Sequence, residues 1–518
     1  MKKTLLCTLI FASILSYGQR SEVLIATDAY HTGLPPQLYS EIISFNGEVL
    51  SSFTTSGPTN PQTIWKVEID DADLSATLDH LNSLSSVHFA EVNHRIQSFA
   101  QRYVPNDLNF DDQWYLDNDG TSTGEPDADV DLPEAWMIER GSEDVTLAII
   151  DGGVRFSHPE FAGRAYQNPG EIPNNGLDDD NNGYIDDVNG WDFVSQDSNP
   201  DDGNGHGTAV AGIAAANGDD FLGFAGVDWN CKIMSVRVLN NAGGGDYFNL
   251  AEALYYVGDM GVNVVNMSLG GLGSSQAVQQ AIEYAASRGV LLVAASGNRG
   301  DSQPQVPAVY PEVIAVGSIN AFNDRSNPFT GASNGGSSYG NHLDVMAPGD
   351  QIPILDYENF GNYSDVANGT SLAAPIVSGI ACLVKAQHPE YSAAQIKSVI
   401  ELTCEDQLGR PNEDTPGKDD FYGYGRVNAH AALTADVYVT QSVGNALYIW
   451  SDPDNSQIVV RINENATYMQ VSDISGRTLY QGEYLTPRTL TIPLPSTGVY
   501  FVTCLFNSGV QTEKVLQY

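Results

Sequence analysis

Between residues 145 and 435, continuous apolar segments of strand length alternate with segments of helical periodicity. The apolar segments are Val145–Ile150, Ile233–Leu239, Val262–Met267, Val290–Ala295 and Val313–Val316, and helical patterns lie at Leu250–Val257 and Ala277–Arg288. Strands that are apolar on both faces are typical of a parallel sheet covered by helices on both sides. The sequence therefore predicts an α/β domain whose ligand site lies beyond the carboxyl ends of the strands.

The regions on either side of this pattern predict further domains, because 518 residues exceed what one hydrophobic core supports. Residues 19–103 predict a small α+β unit, with strands at Trp65–Ile69 and Val87–Val92 around a helix that carries leucines on one face. Residues 104–435 form the α/β domain, and residues 436–518 change to short alternating strands, which predict a small β-sandwich.

Residues 1–18 have the pattern of a secretory signal peptide. Lys2 and Lys3 precede the apolar run Leu5–Leu15, and Ser16-Tyr17-Gly18 follows with small residues at alternate positions. This run is too short for a permanent membrane span, and no later stretch is expected to form one. We therefore expect cleavage after Gly18, passage through the periplasm, and a mature protein that is secreted or lies at the cell surface.

The chain is strongly acidic, with 65 Asp and Glu against 23 Lys and Arg and a formal net charge of -42. Repulsion by phosphate groups makes nucleic acid and anionic membranes unsuitable partners. An acidic surface fits either solubility in salt or the binding of divalent cations, and composition does not separate the two.

Three polar residues stand where elements of the α/β pattern begin or end. Asp151 ends an apolar strand, His206 begins a helix of small residues, and Ser371 lies between Gly369 and a long apolar helical run. A serine hydroxyl becomes an effective nucleophile when a base removes its proton and a third group orients that base. The three residues therefore suggest an acyl-transfer site.

In this order, Asp, His and Ser, the motifs resemble those of the subtilisin-like serine proteases, the subtilases. A fourth motif, Ser296-Gly297-Asn298, resembles the segment in which family members place the side-chain amide of the oxyanion hole. The resemblance implies a serine endopeptidase that acts on proteins and peptides through Ser371, His206, Asp151 and Asn298 and needs no cofactor for catalysis. A catalytically silent surface protein of the same fold, used for binding, is the alternative.

Two departures from the family pattern concern residues next to this set. Gly152 stands where relatives often carry a hydroxyl that helps to hold the aspartate, so fewer hydrogen bonds to Asp151 are expected. Leu372 follows the serine where many relatives carry methionine.

The same resemblance implies two backbone segments that pair with an extended substrate, Ser268-Leu269-Gly270 and Ala295-Ser296-Gly297. Small residues in the pocket walls would admit large apolar side chains, which predicts broad specificity with an apolar preference. Gln305 is expected at the floor of this pocket.

An acidic segment predicts a structural calcium site. Asp178, Asp180, Asn182, the Tyr184 carbonyl and Asp186 supply oxygens at alternate positions, with Gly183 at the turn. Asn189 stands where the full calcium loop would have glutamate, so a solvated acidic insertion without an ion remains the alternative.

The flanking regions also resemble known modules. Residues 19–103 occupy the place of the subtilase propeptide, which assists folding and covers the active site until it is cleaved. Val471–Arg477, Pro495–Val502 and Lys514–Leu516 resemble the C-terminal sorting domains of type IX secretion, which implies the secretion machinery as a partner. A carbohydrate- or protein-binding appendage is the alternative, because small β-sandwiches host many functions. Beyond Cys7 in the signal peptide, the four cysteines are either buried thiols or include a Cys382–Cys404 disulfide.

Overall fold

We describe the protein from a computed structural model. The described residues are 20–28, 34–45, 47–54, 62–70, 74–92, 102–121, 124–437, 447–452, 457–462, 466–473, 477–485, 488–494, 498–506 and 509–517. The predicted signal peptide, residues 1–18, lies outside them, and so do residues 474–476 and 495–497 of the sorting motifs. The chain divides into two compact units, residues 1–100 and 101–518.

The first unit is an antiparallel sheet with two helices. Its elements are β1 (Arg20–Asp28), α1 (Pro36–Ser44), β2 (Glu48–Thr54), β3 (Gln62–Asp70), α2 (Leu74–Ser83) and β4 (Val87–Val92). The strand order is β2-β3-β1-β4. Both helices bury apolar residues against Val23, Ile25 and Val67 of the sheet, so this unit has a hydrophobic core of its own.

The centre of the second unit is a parallel sheet of seven strands. These strands are β5 (Thr146–Asp151), β6 (Gly190–Asp192), β7 (Lys232–Arg237), β8 (Val264–Met267), β10 (Leu291–Ala295), β12 (Val313–Ile319) and β13 (Val345–Pro348). Their order is β13-β12-β10-β8-β5-β7-β6. The five predicted strands are all present, with ends that differ by up to three residues. Met346, which was also expected to lie in a strand, belongs to β13, whereas the short β6 was not predicted from the sequence.

Helices cover both faces of this sheet. They are α3 (Leu132–Ala135), α4 (His206–Ala215), α5 (Tyr247–Met260), α6 (Gln276–Ser287), α7 (Thr370–Gln387), α8 (Ala393–Leu402) and α9 (Ala429–Thr434), with 3-10 turns at Phe110–Asp112 and Pro159–Phe161. In β5, Leu147 and Ile149 pack with α4 and α7, whereas Ala148 and Ile150 pack with α5 and α6. This alternation confirms the predicted α/β fold with helices on both sides.

Two short antiparallel ladders border the sheet. They are β9 (Gly271–Leu272) with β11 (Gln305–Val306), and β14 (Ile352–Pro353) with β15 (Val366–Ala367). Among the described helices, α7 is long and apolar enough to cross a membrane by length and composition, which the sequence had not led us to expect. However, 78% of it is buried inside the domain, as in the core helix of a globular protein.

The C-terminal strands form two antiparallel sheets. Their elements are β16 (Asp436–Val437), β17 (Leu447–Asp452), β18 (Gln457–Ile462), β19 (Ala466–Asp473), β20 (Thr478–Leu485), β21 (Arg488–Pro493), β22 (Gly498–Phe506) and β23 (Gly509–Gln517). The orders are β16-β17-β18-β21 and β20-β19-β22-β23. Val460 from one sheet shares a core with Val471 and Val502 from the other, which agrees with the expected sandwich.

Candidate active site

Asp151 and His206 form a hydrogen-bonded pair at the carboxyl end of β5. Asp151 is the last residue of that strand and is fully buried, and His206 is the first residue of α4. The His206 Nδ1 atom lies 2.8 Å from Asp151 Oδ1 and 3.0 Å from Oδ2. Because a carboxylate can only accept, the proton lies on Nδ1, and Nε2 is left with a lone pair.

The charges and the burial around this pair act on the pKa of His206 in opposite directions, and the net effect is a rise. The negative charge of Asp151 raises the pKa of His206 above its usual value, burial opposes this effect, and Asp202 contributes a smaller rise. The side chain of His206 remains about 35% exposed, so a substrate can reach it. Such a group can take up a proton and then return it.

Residue 152 is a glycine, and its backbone N–H rather than a side-chain hydroxyl holds the Asp151 carboxylate. The Gly152 N–H donates to Asp151 Oδ1 at 2.7 Å. One oxygen of the carboxylate therefore has a backbone donor as well as the imidazole, although residue 152 has no side chain to contribute.

Asp202 anchors the start of α4, and sequence reasoning missed it. Its Oδ1 accepts from the N–H groups of Asn204 and Gly205, both at 2.8 Å, and its Oδ2 accepts from Thr208 N at 2.9 Å and Thr208 Oγ1 at 2.6 Å. The side chain is buried. An acidic residue just before a helix is a common capping signal, and it stands four positions before His206. Asp202 thus fixes the end of the helix that presents the imidazole.

Ser371 lies in the first turn of α7, where backbone N–H groups have no partner within the helix. Its Oγ donates to the Ser268 carbonyl at 3.1 Å rather than to the imidazole of His206. The serine and the imidazole line the same cleft, and catalytic hydrogen bonds of this kind often tighten only in the substrate complex.

Asn298 is held with its amide nitrogen unused. Thr370 donates to Asn298 Oδ1 twice, from N at 2.8 Å and from Oγ1 at 2.9 Å. The Thr370 hydroxyl is itself oriented by the N–H of Gly297 at 3.1 Å. Within the described part of the chain no acceptor contacts Asn298 Nδ2, so this donor is available beside Ser371.

These residues line one cleft of about 860 Å³. It contains His206, Ser371 and Asn298, together with the predicted substrate-binding residues Ser268, Leu269, Gly270, Ala295 and Gly297. Ser296 does not line the cleft, because its side chain is buried and donates to the Ser338 carbonyl.

Gln305 also lines the cleft, as expected from the sequence. In the β9–β11 ladder Gln305 pairs with Leu272. Its side chain lies beside Gly270 and Gly297, one glycine from each predicted substrate segment. A Cβ built on Gly297 would lie 2.0 Å from Gln305 Nε2, and one on Gly270 would lie 3.2 Å from Oε1. The amide of Gln305 therefore closes one end of the pocket between these segments.

The acidic segment is brought together only in part. Carboxylate oxygens of Asp178 and Asp180 converge with Glu171, all within 4.8 Å of one another. Glu171 lies outside the predicted loop and was not expected from the sequence pattern. The Asp186 carboxylate instead accepts from the backbone of residues 175 and 176. The Nδ2 of Asn182 donates to Asp180 and Asp187, and the Tyr184 ring packs in an aromatic cluster.

None of the four described cysteines is in a disulfide. Cys382 lies next to Cys231 and Asp228 in the core, with the polar atoms within 4.8 Å, and burial raises the pKa of Cys382. Cys404 instead donates to the Ile400 carbonyl. Of the two alternatives left open by the sequence, the structure has buried or partly buried thiols.

The α/β region of the chain is similar to a known protein family. The model of the Subtilase family matches residues 142–425. The chain is 36% identical over 333 residues to Thermitase of Thermoactinomyces vulgaris, which covers 64% of this chain and 99% of that protein. It is 33% identical over 362 residues to a Thermophilic serine proteinase of Bacillus sp. (strain AK1), covering 70% of this chain and 76% of that protein. A solved structure described as proteases from Pseudoalteromonas arctica PAMC 21717 is 28% identical with a TM-score of 0.48, covering 64% of this chain and 98% of that one.

The chain belongs to the subtilase family and is a serine endopeptidase.

Proposed function

We propose that this subtilase hydrolyses proteins through Asp151, His206 and Ser371, with Asn298 as an oxyanion donor. The observation that carries this proposal is the 2.8 Å bond from His206 to the buried Asp151, because His206 lines the cleft that also contains Ser371 and the unused amide nitrogen of Asn298. In a substrate complex, Ser371 Oγ turns from the Ser268 carbonyl to His206 Nε2 and attacks the peptide carbonyl as His206 takes its proton.

The two oxyanion donors come from separate elements. Asn298 Nδ2 follows β10, and the N–H of Ser371 belongs to the first turn of α7, where the helix dipole also favours negative charge. Once the tetrahedral intermediate has formed, protonated His206 gives its proton to the leaving amine. Water then hydrolyses the acyl-enzyme by the same route, and no step requires a cofactor.

The decisive experiment is Ser371→Ala, with Ser364→Ala, an exposed serine in the same unit, as the matched control. A fluorophosphonate probe should label the wild type and the control but not Ser371→Ala, and peptide hydrolysis should follow the labelling. Wild-type protein that is folded yet takes no label would instead support the silent binding protein.

We also propose a broad specificity with a preference for apolar side chains next to the scissile bond. The walls made by Gly270, Ala295 and Gly297 leave room for a large side chain, and Gln305 adds one amide at the end of the pocket. Peptides with Leu or Phe at this position should have a higher kcat/KM than peptides with Asp or Lys. Gln305→Leu should widen the difference, and a wild-type preference for charged side chains would contradict the proposal.

For calcium, we propose a site at Glu171, Asp178 and Asp180. Three converging carboxylates repel one another, and Ca²⁺ prefers oxygen ligands of this kind. The loop that supports this ion site would then contain Asn182, the Tyr184 carbonyl and Asp186. In the Ser371→Ala background, a chelator should lower the melting temperature.

The matched pair of variants tests the location of the ion. Asp178→Ala with Asp180→Ala should remove most of the chelator response, whereas Asp111→Ala with Asp112→Ala, two exposed acidic residues elsewhere, should keep it. An equal response in both double variants would place the ion at another site.

Residues 19–103 are proposed to be a propeptide that keeps the enzyme a zymogen. Their separate hydrophobic core and the division of the chain near residue 100 support this assignment. In a purified Ser371→Ala precursor this segment should remain attached, because self-cleavage needs the nucleophile. Processing of that precursor without another protease would contradict self-cleavage.

We further propose that the protein is secreted, through the signal peptide of residues 1–18 and then through type IX machinery that recognises residues 436–518. The support is the sequence pattern at both ends and the sandwich formed by the C-terminal strands. Deletion of residues 436–518 should leave hydrolysis intact and retain the enzyme in the producing cell. Normal export of the truncated chain would refute the sorting role.

A further inference from the structure

The backbone carbonyl of Ser371 lacks its normal helical partner. In an α-helix this oxygen accepts from the N–H four residues later, which here belongs to Pro375. Proline has no N–H, so the carbonyl of Ser371, the residue that carries the nucleophile, has no helical donor. A carbonyl in such a position needs another donor, because an unpaired buried backbone group is costly.

The missing donor is replaced by a side chain from the central sheet. Ser268, just after β8, donates from Oγ to the Ser371 carbonyl at 2.7 Å. The backbone carbonyl of Ser268 in turn accepts from Ser371 Oγ at 3.1 Å. Ser268 therefore contacts both the peptide group and the hydroxyl of the nucleophile.

Two buried residues fix the orientation of Ser268. The Nδ2 of Asn266, in β8, donates to Ser268 Oγ at 3.0 Å, and Ser378 Oγ, one turn beyond Pro375 in α7, donates to Asn266 Oδ1 at 2.9 Å. Asn266 and Ser378 are fully buried, and Ser268 is 3% exposed. The chain of hydrogen bonds runs in one direction, from Ser378 through Asn266 and Ser268 to Ser371. The Ser378 hydroxyl also lies 3.1 Å from the Ala374 carbonyl, which shares its proton with Asn266.

We propose that Ser268, Asn266 and Ser378 form a positioning network for the nucleophile, which sets where Ser371 lies relative to β8 and to His206. This inference rests on the proposed function, since it assumes that Ser371 attacks the substrate. The three side chains take no part in proton transfer. Their effect is on the fraction of the enzyme in which Ser371 Oγ can turn from the Ser268 carbonyl to the imidazole in a reactive geometry.

The main test is Ser268→Ala, which keeps the substrate-pairing backbone and removes only the donor to Ser371. Small displacements of reacting groups can cost about a hundredfold in rate, so we expect kcat and the rate of fluorophosphonate labelling to fall by about tenfold to a hundredfold. The KM should stay close to the wild-type value. Asn266→Leu and Ser378→Ala should lower the same two rates, and their double variant should cost little more than Asn266→Leu alone.

Thr403→Val is the matched control. It removes a buried hydroxyl that donates to the Val399 carbonyl in α8, away from the cleft, at 2.9 Å. This variant should lose stability without loss of kcat in the fraction that remains folded. If the network variants behave in the same way as Thr403→Val, their role is structural only and the proposal is wrong.

Pro375→Ala gives an independent test of the physical cause. Alanine restores an N–H four residues after Ser371, so Ser268→Ala should cost less in the Pro375→Ala background than in the wild type. An equal cost in both backgrounds would overturn the argument from the missing donor, even if Asn266→Leu failed to fold. Failure of the proposed function looks different, because the wild-type enzyme itself would then show no labelling at Ser371.

Discussion

Replacing Asp202 by Asn should destabilise the catalytic domain and shift its pH profile. The wild-type carboxylate accepts four hydrogen bonds at the start of α4, from Asn204, Gly205 and twice from Thr208. An amide retains one acceptor oxygen, which can serve Asn204 and Gly205. Its NH₂ group would then face the N–H of Thr208, so two donors would meet in a buried site.

The size of the effect follows from these bonds. Two hydrogen bonds to a charged acceptor are lost, one of which leaves a buried N–H without a partner, and each such loss costs about 1.5–3 kcal/mol. The Thr208 hydroxyl can turn to accept from the new amide and recover part of this energy. We therefore expect the free energy of unfolding to fall by about 3 kcal/mol, and by more in Asp202→Ala, which also leaves Asn204 and Gly205 unpaired.

The assay is denaturant unfolding in the Ser371→Ala background, which prevents self-digestion. Asp201→Asn is the matched control, because Asp201 is the neighbouring carboxylate but is 44% exposed and forms a 2.8 Å ion pair with Arg155. Such a pair contributes about 1 kcal/mol or less. Equal stability of Asp202→Asn and Asp201→Asn would refute the reasoning.

Asp202→Asn also removes a charge that raises the pKa of His206, so in the active enzyme the acid limb of kcat/KM should move to lower pH. If the acid limb of the kcat/KM profile stays at the same pH, the role of Asp202 is limited to stabilising the start of α4.

Three further predictions concern the cleft. Asn298→Leu should lower kcat by about a hundredfold to a thousandfold, measured by steady-state kinetics, and unchanged turnover would remove Asn298 from the oxyanion site. The wild-type kcat/KM should decrease as the pH is lowered through the pKa of His206, because the base must be neutral. Asp151 raises this pKa, so the midpoint of the acid limb should lie above the usual histidine value of 6.5, and a midpoint below 6.5 would contradict this. Hydrogen peroxide should leave the wild type largely active, since Leu372 cannot form a sulfoxide, and Leu372→Met should create sensitivity; rapid wild-type loss that follows oxidation of Met267 would identify a different vulnerable residue.

The sequence by itself determined the α/β class and the four candidate residues Asp151, His206, Asn298 and Ser371, of which the last three line the cleft. Both follow from local patterns: apolar runs report burial on two faces, and Asp151, His206 and Asn298 stand at or beside element ends that a parallel sheet brings to one edge. The short strand β6 escaped prediction because three residues carry too little periodicity to be recognised.

Only the tertiary structure decided which partners these residues have. Asp202, Glu171 and Asn266 are ordinary polar residues in the sequence, and their roles depend on which backbone or side chain lies opposite them after folding. The same applies to Ser371, whose hydroxyl direction is a choice among rotamers set by Ser268, a residue 103 positions away. Local periodicity specifies which side of an element is buried, whereas a hydrogen-bond partner is specified by the packing of elements far apart in the chain.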